Sequence, residues 1–174
     1  MGLDISFHLI KRADFEEYRN DLEEWRKAKP AVESLTDDEY NKLSDEEKQK
    51  ADEEHKKYAD SRPETEDYGM TDLGSFRKVN FLVAFFDYWD NCQFKEITLD
   101  EIKELLARCR AILKHKSKKK AEYLLPTTSG FFFGSTEYDK WYFEDVKEVR
   151  EWAKSVIKAD DGDADNLYLM WCWW

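Results

Sequence analysis

Along the start of the chain Leu3, Ile5, Phe7 and Leu9 alternate with Asp4, Ser6 and His8, the period of two that marks a strand with one buried face. The period then changes. Phe15, Tyr18, Leu22 and Trp25 recur every three or four positions and predict a helix over 14–29, ending at Pro30. Residues 36–61 hold few large apolar side chains, but Thr36 with Glu39 and Ser44 with Glu47 each carry the spacing of a capping box, so two polar helices begin there. Residues 62–71 read as a loop. From 75 to 89 Phe76, Val79, Val83 and Phe86 share a stripe that Phe81, Leu82, Phe85 and Trp89 widen, which predicts a helix central to the fold. Thr98 with Glu101 opens another helix, whose inward face is Leu99, Ile102, Leu105, Leu106, Cys109, Ile112 and Leu113. Residues 131–134 read as a short strand between glycines. Residues 138–158 read as a helix with Tyr142, Val146, Val149, Ala153 and Val156 inward, and 167–174 as a strand returning beside the first.

The expected fold class is therefore α+β. A small, mostly antiparallel sheet of the N-terminal, 131–134 and C-terminal strands packs with four to five helices. One domain spans 1–174 and carries a charged helical insertion, or arm, over 31–70.

Composition adjusts this picture in three places. Aromatic residues make up 16% of the chain, enough large side chains to build a core although 39% of residues are charged. The net charge of −11 argues against direct binding of nucleic acid or of an anionic membrane, and leaves a basic protein as a partner for an acidic surface. Cys92, Cys109 and Cys172 are odd in number and lack a CxxC pair, which fits a reducing, cytoplasmic compartment rather than a disulfide framework or a zinc site. No apolar run reaches membrane-spanning length.

Catalytic and metal constellations are not evident. His8, His55 and His115 are not spaced as metal ligands. The glycines at 130 and 134 are one residue too close for a phosphate loop, and its lysine is missing. Asp161, Asp163 and Asp165 open like a calcium loop, but Asn166 and Cys172 stand where that loop needs glycine and glutamate, so an acidic turn is expected. No cofactor, metal ligand or catalytic residue is assigned. Asp139, Glu144 and Asp145 are the carboxylates an enzyme would use, and acids are also expected at a helix start.

Residues 124–145 are more suggestive: Leu124-Leu125-Pro126-Thr127-Thr128-Ser129-Gly130-Phe131-Phe132-Phe133-Gly134-Ser135-Thr136-Glu137-Tyr138-Asp139 runs into Lys140-Trp141-Tyr142. Hydroxyls, glycines and aromatics before a helix start could set backbone N–H groups near Ser135 and Thr136 against a phosphate, with Tyr138 or Trp141 stacking a ring. The same segment also reads as a tight turn capped by Ser135 or Thr136. The ligand-binding candidates are Thr127, Ser129, Ser135, Thr136, Tyr138, Asp139 and Trp141, with Arg77, Lys78 and Asn80 from the central helix.

On these residues the chain resembles a family of uncharacterised small proteins from bacteriophages and bacterial genomes. The likeness covers Met1-Gly2-Leu3-Asp4-Ile5, Gly74-Ser75-Phe76-Arg77-Lys78-Val79-Asn80, Asp90-Asn91-Cys92 and, most specifically, residues 121–145. The family brings no activity to transfer, and residues 11–70 and the Trp-rich end depart from it. The resemblance implies a phage setting, in which small accessory proteins act against host defence. Three functions follow as expectations. The first is non-catalytic binding of a nucleotide-like small molecule. The second is an acidic protein–protein inhibitor that imitates DNA through the arm, as some inhibitors of nucleic-acid-guided defence do. The third is a nucleotide-processing enzyme. Trp171, Trp173 and Trp174 also raise self-association.

Overall fold

A computed structural model describes residues 2–174, and these form two compact units. The first comprises the N-terminal segment to Lys11 and Met70–Trp174; the second is Arg12–Gly69, inserted between two strands.

The first unit is built on a four-stranded antiparallel sheet: β1 (Asp4–Lys11), β2 (Thr71–Arg77), β3 (Phe94–Ile97) and β4 (Asn166–Trp173), ordered β2-β1-β4-β3. The α+β class is thus observed, with the first and last strands as central neighbours, Phe7 facing Met170 and Ile5 facing Cys172. Leu3, Ile5, Phe7, Tyr168, Met170 and Cys172 belong to one core, shared with Ile102, Leu105, Cys109 and Ile112 of α5 (Leu99–Leu113) and with Tyr142, Val146, Val149 and Ala153 of α7 (Lys140–Ala159). Thr98 makes the expected capping box with Glu101. The tail divides by position. Trp174 turns its ring toward Tyr88 and Phe133, whereas Trp173 remains 44% exposed.

Two expectations are corrected. Residues 75–89 do not form one helix. Their first part is the edge strand β2, and only a short helix, α4 (Phe81–Phe85), follows. Lys78 at φ +60° and Asp87 at φ +48° cannot continue a helix, and the apolar stripe that imitated one comes from a strand and a buried turn laid end to end. Residues 131–134 are a turn, not a strand. Phe133 N–H closes it onto the Gly130 carbonyl, so its backbone does not pair into the sheet. The strands missed are β2 and β3. A further helix, α6 (Lys118–Leu124), starts at Ser117, whose hydroxyl accepts the Lys120 N–H.

In the second unit α1 (Arg12–Lys27) precedes α2 (Asp37–Asn41) and α3 (Asp45–Asp60), with Thr36–Glu39 and Ser44–Glu47 capping boxes as the spacing required. The unit thus begins before the expected arm and includes α1. The Trp25 indole lies parallel to the Tyr58 ring at 4.3 Å and donates to the Tyr58 carbonyl. Twenty acidic and 11 basic residues give it −9 of the chain's −11. No helix among the described residues is long and apolar enough to cross a membrane.

Candidate binding loop

Residues 125–139, between α6 and α7, form a loop without regular structure whose shape is set by side chains from elsewhere in the first unit. Asn80, the buried polar residue of that core, does most. Its amide Nδ2 donates to the carbonyls of Phe133 (3.1 Å) and Ser135 (2.9 Å), and its Oδ1 accepts the Thr128 N–H (3.2 Å). Thr127 closes the base. Its N–H donates to the Tyr138 hydroxyl at 3.0 Å and its own hydroxyl donates to the Thr136 carbonyl at 3.0 Å. The N-terminal segment adds a third tie, since Leu3 N–H donates to the Phe132 carbonyl and Lys78 N–H to the Leu3 carbonyl. Below, the Tyr142 hydroxyl donates to the Leu125 carbonyl and Arg108 Nη1 to that of Leu124.

Both loop glycines are demanded by close approach. A Cβ on Gly130 would lie 2.8 Å from the Phe133 ring. One on Gly134, at φ +86°, would lie 3.1 Å from Lys78 Cβ.

Of the candidate residues, Asn80, Thr127, Ser135, Thr136 and Tyr138 are joined in this network, and Lys78 packs on Gly134. Arg77 stands outside it, exposed, with its Nε 3.8 Å from the Asp4 carboxylate. Ser129 is exposed at the tip. Asp139, rather than Ser135 or Thr136, caps α7, its carboxylate accepting the N–H groups of Trp141 and Tyr142. An anion position at this helix start is therefore filled by the protein's own carboxylate. The Ser135 hydroxyl accepts the Glu137 N–H in a local turn.

What the loop presents outward is aromatic and cationic. Phe131 is 95% exposed and Trp141 65% exposed, with the Lys140 ammonium 4.6 Å from the Trp141 ring centre. Lys118 places its ammonium 5.9 Å from the Tyr138 ring. Phe131, Lys118 and Lys140 were not among the sequence candidates. Phe131 looked like a strand residue, and the lysine run like a solvated helix end.

Asp145, half-buried on α7, has its carboxyl raised to about 6, by burial first and then by Glu148 and Asp139. A folded pKa above the unfolded value means that this group's favourable contribution is complete below about 4 and is lost as pH rises through about 6. Asp145→Asn removes that loss. At pH 7 it is expected to be more stable than the parent by about 1 kcal/mol, the figure discounted for partial solvent screening. Urea unfolding at pH 4 and pH 7 checks this; an equal difference at both pH values contradicts it. Burial likewise pushes the Cys109 thiol up to about 12, which removes it from thiolate chemistry.

At the acidic turn the Asp161 and Asp163 carboxylates accept backbone N–H groups two residues on, and Asp163 pairs with Lys11 at 2.6 Å; no metal-holding cluster occurs among the described residues.

No protein-family model, curated protein or solved structure gives a significant match to this chain.

Proposed function

We propose that this protein is a phage accessory protein that antagonises host defence by binding a nucleotide-like small molecule without turning it over, and that the 127–141 loop is its recognition surface. The observation that carries this reading is the division of labour within the loop. Its polar groups hold its own shape through Asn80, Thr127 and Tyr138, while Phe131 and Trp141 stand outward with Lys140 beside the indole. A loop already ordered before binding loses little entropy when a ligand arrives. An exposed indole beside an ammonium suits a flat ring carrying a negative charge, and Lys78, exposed and packed on Gly134, adds a cation at the loop. Of the carboxylates a nucleotide-processing enzyme would use, Asp139 is committed to capping α7, which favours holding over turnover. The phage setting is supported by the resemblance carried by residues 121–145.

The test is a thermal-shift screen against mono-, di- and cyclic nucleotides and adenosine-diphosphate-ribose derivatives, with the ligand recovered and analysed afterwards. A ligand at about 100 times its Kd adds roughly 2.7 kcal/mol, a rise of about 5–10 °C for a domain of this size. Phe131→Ala and Trp141→Ala, both at exposed positions, are expected to erase the shift while leaving the unliganded Tm within about 2 °C. A chemically changed ligand rejects the non-catalytic reading, and shifts unaffected by both substitutions reject the loop as the site.

A second reading rests on the charge of the inserted unit. With −9 over Arg12–Gly69 it suits a basic protein surface that ordinarily meets nucleic acid. Such binding weakens steeply with salt and disappears when the unit is replaced by a short turn. Salt-insensitive association argues against it.

A further inference from the structure

The chain is acidic overall, yet between Glu104 and Glu122 it has seven basic residues and no acidic one: Arg108, Arg110, Lys114, Lys116, Lys118, Lys119 and Lys120. The five lysines are exposed, and they lead through α6 straight into the recognition loop. The two are physically joined. The Lys118 ammonium lies over the ring of Tyr138, the tyrosine whose hydroxyl fixes Thr127 at the loop base. Three residues on, Trp141 has its own ammonium from Lys140, and Tyr123 on α6 is 84% exposed. Two ring–ammonium pairs thus stand in succession, with further lysines and exposed aromatic rings beside each.

A mononucleotide uses one ring and one cation. A short single strand repeats base and phosphate, and so presents the same alternation that Lys118–Tyr138 and Lys140–Trp141 offer. Stacking on aromatic side chains together with ammonium–phosphate pairing is how single strands are held without regard to sequence. Building on the nucleotide-binding reading of this loop, we propose that the preferred ligand is a short single-stranded oligonucleotide, its phosphates crossing Lys118, Lys119, Lys120 and Lys140 and its bases meeting Trp141, Tyr123 and Phe131. The net charge of −11, which argues against direct nucleic-acid binding by the chain as a whole, does not oppose a short strand at this patch. At physiological salt, charges farther than about 8 Å are largely screened, and the local sign at α6 is positive.

The test measures affinity by calorimetry for thymidine monophosphate and for oligothymidylates of two, four and eight residues, with polyglutamate of matched charge as a control. Affinity is expected to rise about tenfold from one residue to four and then level off, and the log–log salt slope to grow toward about −2 for the tetramer. The variant K118Q/K119Q/K120Q is expected to flatten the dependence on length. If monophosphate and tetramer bind equally, this proposal falls while the loop remains a nucleotide site. If neither oligothymidylate nor any nucleotide of the thermal-shift panel binds, both fall. Polyglutamate binding as tightly as the tetramer also overturns it, since the surface then reads charge alone.

Discussion

Asn80→Asp will destabilise the protein by about 3–5 kcal/mol, more than its near-identical shape suggests. The wild-type amide donates twice, to the Phe133 and Ser135 carbonyls, and accepts once, from Thr128 N–H, at a position only 3% exposed. Aspartate keeps the acceptor but turns an oxygen toward two carbonyl oxygens. It must either bury an opposed charge or take up a proton. Neutral protonated aspartate can donate only once, so one carbonyl still loses its partner. The damage will concentrate in the 127–136 stretch, because these three bonds link that loop to the segment following β2. Urea unfolding gives the magnitude, and amide exchange gives the location. The loss should shrink at low pH, where the new carboxyl is protonated. A loss below about 1 kcal/mol, or one spread evenly over the chain, would show that the loop does not depend on Asn80.

Trp152 on α7 provides the second large effect. Its indole lies 4.2 Å from the Phe7 ring, meets Phe76 edge to face, and donates to the Leu73 carbonyl on the edge strand at 3.0 Å. Trp152→Ala is expected to cost about 4 kcal/mol, the range for large aromatic-to-alanine truncations in cores. Trp152→Phe keeps most of the packing and removes the donor, for a loss of about 1–2 kcal/mol. The ratio separates the two contributions. If both substitutions cost the same, the hydrogen bond dominates and the packing account is wrong. Gly74 belongs to the same contact, since a Cβ there would approach Trp152 Cδ1 to 3.1 Å at a φ of +133°. Trp152 thus ties the edge strand to the helix layer in a way that neither residue's local pattern announces.

This difference between local and distant determinants explains what the sequence made legible. The three Thr/Ser–Glu capping boxes were readable because their partners lie three residues apart. The inward stripes of α5 and α7 were readable because helical period and burial coincide over many turns. Residues 75–89 misled because period detection assumes one conformation across its window, and two positive φ angles at Lys78 and Asp87 divide that window. β3 was hidden by its brevity, four residues with only Ile97 fully buried. At the loop, hydroxyls, glycines and aromatics marked residues 124–141 as special. Their roles needed Asn80, 48 to 55 residues away in sequence, to be seen. Asp139 was placed at the helix start by spacing, but its carboxylate occupies the position a phosphate would want.

The strand order has a kinetic meaning as well. β1 lies inside the sheet, yet one neighbour follows a 58-residue insertion and the other, β4, begins only at Asn166. Loop closure over such separations is slow, and it must precede the contacts that reward it. β1 therefore lacks one of its two partners, with Ile5 and Phe7 incompletely covered, until β4 has been made. The inserted unit has its own helices and can order during that interval. Slowing translation between β2 and β4 is therefore expected to lower the folded yield while leaving the stability of the finished protein unchanged.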